Sequence, residues 1–158
     1  MAGSSVLSDP TVRRIVIGFC AGVIAVLTFH QLSILLLKVL GFIPAFVPWA
    51  IDAFGPLGVP RIVNSAFWGG LWGVAFAFLV DRFPREGAAY LAAGFVFGIL
   101  GPALASWFVV APIKGTPVAA GWVPAALARS VFVSGMFGVG IAVFHQLVSR
   151  WLGDTRAA

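Results

Sequence analysis

Nineteen consecutive residues without a charge, Ile62 to Val80 (IVNSAFWGGLWGVAFAFLV), lie between Arg61 and the pair Asp81-Arg82. A helix rising about 1.5 Å per residue over that length nearly spans the ~30 Å hydrocarbon core of a bilayer. Ala66, Gly70, Gly73 and Ala77 fall on one face of such a helix, which is thereby stripped of side-chain bulk. Phe67, Trp68, Leu71, Trp72, Phe76 and Phe78 carry the bulk on the other faces. A smooth stripe backed by large apolar groups suits close helix packing in lipid, where association depends on backbone approach.

Three more segments share this character, so the chain is expected to be an all-α membrane protein. Its four transmembrane helices would cover about residues 15–39, 62–80, 87–110 and 125–151 of a single domain over 13–151. Hydrophobic residues make up 61% of the chain and charged residues 9%, against about 25% charged in a soluble domain. At 158 residues there is no room for a soluble enzyme beside the bundle. The net charge of +5 does not imply nucleic acid. Arg13-Arg14 is the longest basic run, and loop Lys and Arg commonly meet lipid headgroups.

Cys20 is the only cysteine, which excludes an internal disulfide. Phe19 stands where a lipoprotein processing site needs a small residue. The first apolar run also outlasts the 7–15 residues of a signal peptide, roughly speaking, so no cleaved leader is expected.

The segments between spans differ in kind. Residues 1–12 and 152–158 read as short polar tails. Residues 40–61 contain Pro44, Pro48, Pro56 and Pro60, which forbid one continuous helix. With Phe46, Trp49 and Phe54 among them, they are expected to form a short helix near 47–54 lying in the interface and capping the bundle. Residues 81–86 read as a tight hairpin of alternating charge that pairs locally. Pro102 should kink the third span. No internal repeat stands out. Phe-His-Gln-Leu occurs at 29–32 and 144–147, but in spans running in opposite directions, so the copies do not mark a duplicated half.

Four spans place both termini on one side. Arg13, Arg14, Arg82, Arg85, Arg150 and Arg156 lie there, against Lys38, Arg61, Lys114 and Arg129 opposite. The excess of Lys and Arg favours cytoplasmic termini.

Helix packing is expected to use Gly18 and Gly22 in the first span, Gly70 and Gly73 in the second, Gly94 and Gly98 in the third, and Ser134 and Gly138 in the fourth. A second constellation lies toward the opposite side from the termini: His30, Gln31, Asn64, Ser130 and Ser134, with Arg61, Lys114 and Arg129 around them. Polar groups in a span normally face the bundle interior. If these converge, they form an outer pocket for an anion or lipid headgroup. Otherwise the cations snorkel to lipid phosphates and the neutral groups join helices. His30 and His145 stand about 16 Å apart along the bundle axis by helix rise, which argues against a shared haem or metal. A quinone at either histidine is the weaker reading, so no cofactor is expected. All five acids fall in loops or tails, and no catalytic constellation is recognisable.

Three stretches, Pro56-Leu57-Gly58-Val59-Pro60, Ala66-Phe67-Trp68-Gly69-Gly70-Leu71-Trp72-Gly73 and Val110-Ala111-Pro112-Ile113-Lys114-Gly115, resemble an uncharacterised family of small four-helix integral membrane proteins of proteobacteria. That resemblance implies the four-span fold and a bacterial inner-membrane location, and it carries no catalytic residue. The leading expectation is a non-catalytic accessory or assembly subunit, or a homo-oligomeric scaffold, acting by helix packing in the bilayer. A small transporter or binding protein using the outer pocket is the alternative.

Overall fold

Asp9 opens the first helix. Its carboxylate accepts hydrogen bonds from the N–H groups of Thr11 and Val12, and Pro10 follows at a position where a missing N–H costs nothing. The computed structural model describes residues 9–55 and 57–152, so most of both expected tails lies outside the described residues. The helix α1 (Pro10–Val39) therefore begins within the stretch expected as tail. It is followed by α2 (Arg61–Arg82), α3 (Gly87–Ile113) and α4 (Pro124–Trp151), all four long and apolar enough to cross a membrane. They run alternately up and down. One end of the bundle carries Pro10, the α2–α3 turn and Trp151, and is called the terminal end below. The other is the loop end.

Two seams hold the helices in pairs. At the α1–α2 seam, a Cβ built on Gly22 or Gly73 would come closer than 3.0 Å to the facing backbone, of Gly69 in one case and Gly18 in the other. One on Gly18 would lie 2.5 Å from the Gly73 carbonyl oxygen and 2.9 Å from Ala77 Cβ. At the α3–α4 seam the pattern recurs residue for residue. Gly98 meets the Ser134 carbonyl, Gly138 meets that of Gly94, and a Cβ on Gly94 would lie 2.8 Å from both Ala142 Cβ and the Gly138 carbonyl oxygen. The Phe19 ring covers Gly70 in the first pair, and the Phe95 ring covers Gly135 in the second.

This equivalence corrects the expectation of no internal repeat. Gly18-Phe19-x-x-Gly22 corresponds to Gly94-Phe95-x-x-Gly98. Ser65-x-Phe67-x-x-Gly70-x-x-Gly73-Val74-x-x-Ala77 corresponds to Ser130-x-Phe132-x-x-Gly135-x-x-Gly138-Val139-x-x-Ala142. The chain is two copies of one helical hairpin, running in the same direction.

The hairpins dock through unlike interfaces. The α1–α4 contact is close: a Cβ on Gly140 would lie 2.8 Å from Phe29 Cβ and 3.1 Å from Ala25 Cβ. Between α2 and α3 the contact is aromatic. Phe76, fully buried, has its ring centroid 5.2 Å from Phe97, 5.4 Å from Phe83, 5.7 Å from His145 and 6.2 Å from Tyr90.

Both helices that run from the terminal end to the loop end widen into π-helical turns, at Val26–His30 in α1 and at Ile99–Ala103 and Ser106–Val110 in α3. Pro102 lies inside the first of the α3 turns, and the Leu104 N–H reaches back five residues to the Ile99 carbonyl. A wider turn absorbs the N–H that proline lacks.

The expected helix near 47–54 is absent. Residues 40–55 and 57–60 instead form turns and a two-residue antiparallel ladder, β1 (Ala53–Phe54) with β2 (Val59–Pro60). Trp49 has φ +48°, a left-handed conformation that interrupts any right-handed helix. The carbonyls of Asp52 and Ala50 accept from the N–H groups of Arg61 and Ile62, satisfying two donors that open α2. The 81–86 turn also differs from its expected local pairing, because Asp81 makes its ion pair with Arg14 of α1.

Candidate functional site

The polar residues expected to line an outer pocket are distributed among separate partners at the loop end. Gln31 is buried, and its Oε1 accepts the Trp49 backbone N–H at 2.9 Å. The Trp49 indole N–H donates to the Leu27 carbonyl, also at 2.9 Å, within the π-turn of α1. Lys38 Nζ donates to the Phe46 carbonyl at 2.8 Å. These three bonds strap residues 46–49 across α1. His30 sits beside the strap, its Nδ1 3.4 Å from Gln31 Nε2 and its ring edge-on to Phe137 at 6.0 Å.

Arg61 pairs with Asp52 at 2.7 Å, across the ends of the β1–β2 ladder. Ser130 accepts the Trp107 indole N–H at 2.9 Å. Ser134 belongs to the α3–α4 seam through its carbonyl. Asn64 and Arg129 are half-buried on α2 and α4, and Lys114 is exposed beyond α3. The structure thus joins His30 and Gln31 to one another and to the strap, and engages Arg61, Ser130 and Ser134 elsewhere. The packing residues Gly18, Gly22, Gly70, Gly73, Gly94, Gly98 and Gly138 all lie at helix contacts within the chain.

The strap yields a prediction. Trp49→Ala removes the indole bond, and Gln31→Leu leaves the residue 49 N–H without its acceptor. Each should raise amide hydrogen exchange across residues 40–60 about tenfold while leaving the α3–α4 seam protected. Unchanged exchange in both variants would mean that the strap is held by other contacts.

The Arg61 hydrogen bond, reinforced by its charge, holds the Asp52 carboxyl below its ordinary value of 3.8. A depressed folded-state value contributes stability that is present above 3.8 and lost as pH falls through the lower, folded value. Titration of the Asp52 carboxyl by NMR should therefore show a midpoint that rises in Arg61→Gln.

A different set of polar groups lies buried toward the terminal end. Tyr90 of α3 and His145 and Ser149 of α4 are 3%, 5% and 1% exposed, and the rings of the first two pack edge-on with Phe76. The Tyr90 hydroxyl and the Ser149 hydroxyl have no hydrogen-bond partner among the described residues. Buried hydroxyls without partners are uncommon in native proteins, since each forfeits its hydration. The sequence singles out His145 but not Tyr90 or Ser149, although two signals mark them. Tyr90 is the only tyrosine of the chain, and His145 and Ser149 are spaced to share one helix face.

These side chains can donate and accept hydrogen bonds but lack a carboxylate to orient a base. Among the described residues no three His, Cys, Asp or Glu side chains come together to hold a metal ion. The arrangement is one of polar binding groups in an apolar bundle. Comparison with protein families, with curated proteins and with solved structures finds no match to this chain.

Proposed function

We propose that the chain is a four-span integral membrane protein of a bacterial inner membrane, with both termini in the cytoplasm, acting as a non-catalytic accessory or assembly subunit. The observation that carries this reading is the division of helix surface. The small-residue faces meet one another inside the chain, and large apolar groups such as Leu32, Phe67, Trp68, Leu100, Phe108 and Leu147 are turned outward. Water would penalise that outward surface heavily, whereas lipid tails and apolar partner helices match it.

Homo-oligomerisation through the glycine stripes has less support than association with a different membrane protein. The stripes are already occupied, so a partner would meet bulky faces. Resemblance to small proteobacterial four-helix proteins supports the inner-membrane assignment, and the Lys and Arg excess supports the orientation. Native mass spectrometry of untagged protein, extracted gently from its own membrane, tests the reading. The expected result is a defined complex with at least one other polypeptide. A monomer, or a homo-oligomer alone, would overturn the subunit role.

A further inference from the structure

An open groove of about 270 Å³ runs between α3 and α4 at the terminal end, where Tyr90 and Leu91 face Val143, Gln146, Leu147 and Arg150. We propose that this groove binds an anionic phospholipid, with the phosphate held at Arg150 and the first part of an acyl chain lying along Leu91, Val143 and Leu147.

The groove is apolar along its walls and basic at its mouth. Arg150 is exposed and makes no ion pair with a described residue, so its guanidinium is available to a phosphate, which it can grip with two N–H groups. Arg85 lies on the adjoining α2–α3 turn, adding positive potential at the same end. Gln146 donates from Nε2 to the Arg85 carbonyl at 3.2 Å. That bond ties the turn to α4 beside the groove and leaves the amide oxygen to accept from a headgroup hydroxyl. The Tyr90 hydroxyl, buried and without a partner, belongs to a residue of the groove wall.

The volume admits a headgroup-proximal segment and excludes a whole lipid, and the open side lets the remaining chain continue along the outer surface. A free anion would use Arg150 and leave the apolar wall uncovered. Charge and shape together therefore select a lipid.

The test places full-length protein in mixed micelles containing equal phosphatidylglycerol and phosphatidylcholine, and native mass spectrometry reads the lipids retained. Wild type should retain phosphatidylglycerol over phosphatidylcholine by about tenfold, the ratio that one charge-assisted hydrogen bond supplies. Arg150→Gln should remove the preference, and Leu147→Trp should lower phosphatidylglycerol retention by filling the groove. Arg150→Gln, at an exposed position, decides the matter where Leu147→Trp fails to fold. Arg82→Gln, an arginine at the same end but outside the groove, should behave as wild type. An undiminished preference in Arg150→Gln would overturn the proposal. So would an equal loss in Arg82→Gln, which would show a general attraction to the basic end. Excess inorganic phosphate should leave the lipid bound, and its replacement by a phosphate adduct would overturn the choice of lipid. This outcome is read from adduct mass and is independent of whether a partner polypeptide co-purifies.

Discussion

Gly73→Val should lower the stability of the folded bundle by about 3 kcal/mol or more, at the upper end of the cost of overpacking. A Cβ at this position would lie 2.7 Å from the Gly22 backbone nitrogen and closer still to the Gly18 carbonyl. Both obstacles are backbone within a helix, so no rotamer change relieves them, and α1 and α2 must separate along the seam. Gly138→Val is its counterpart, with the Gly98 nitrogen 2.8 Å from the new Cβ and the Gly94 carbonyl nearer. Because the two hairpins repeat one packing solution, the two variants should lose similar amounts. Unfolding in sodium dodecyl sulfate from mild micelles, followed by tryptophan fluorescence, measures both. Gly101→Ala provides the contrast, since its Cβ would meet the edge of the Trp72 ring at 2.9 Å, a side chain able to shift. Wild-type unfolding in both valine variants would show that the seams do not carry the fold.

The four helices were legible because uninterrupted apolar length is a local property of the sequence. Which glycines faced which was not. Small residues recur on all four helices, and their pairing depends on rotation about each axis. The repeat is hidden in the sequence for a related reason. Only a few Gly, Phe, Ser, Val and Ala residues at or beside the seams are shared, and the connection from Val39 to Arg61 is longer than that from Ile113 to Pro124, which breaks the register between the halves. Phe-His-Gln-Leu is the more conspicuous recurrence, although its copies occupy non-equivalent helices.

The loop-end polar set failed to read for a third reason. Depth along a helix is available from residue number, and direction around it is not. Gln31 lies at the expected depth, yet its acceptor oxygen is taken by Trp49, from a segment that local propensity cast as a helix. Tertiary hydrogen bonds from Trp49 to Gln31 and Leu27 outweighed that propensity. At the terminal end, Tyr90 and Ser149 were passed over because a single hydroxyl in an apolar span is usually absorbed by a neighbouring carbonyl. Here neither hydroxyl is.

Phe76→Ala should cost about 3–5 kcal/mol, the range for removing a fully buried phenyl ring, and its effect should differ in kind from that of the seam variants. Phe76 takes no part in either glycine seam. It rests instead among Phe83, Tyr90, Phe97 and His145, which belong to the α2–α3 turn and the second hairpin. Its loss should loosen the docking of one hairpin on the other while each hairpin keeps its own close backbone contact. Hydrogen exchange would then rise along the facing sides of α2 and α3, with protection retained at Gly18–Gly22 and Gly94–Gly98. If hairpins are the structural units, Phe76→Ala and Gly138→Val act on separate contacts and should add to within about 0.5 kcal/mol. A large coupling between them would mean that seam and docking interface form together. The bundle would then be one cooperative unit built from a duplicated sequence, rather than two preformed hairpins joined by an aromatic interface.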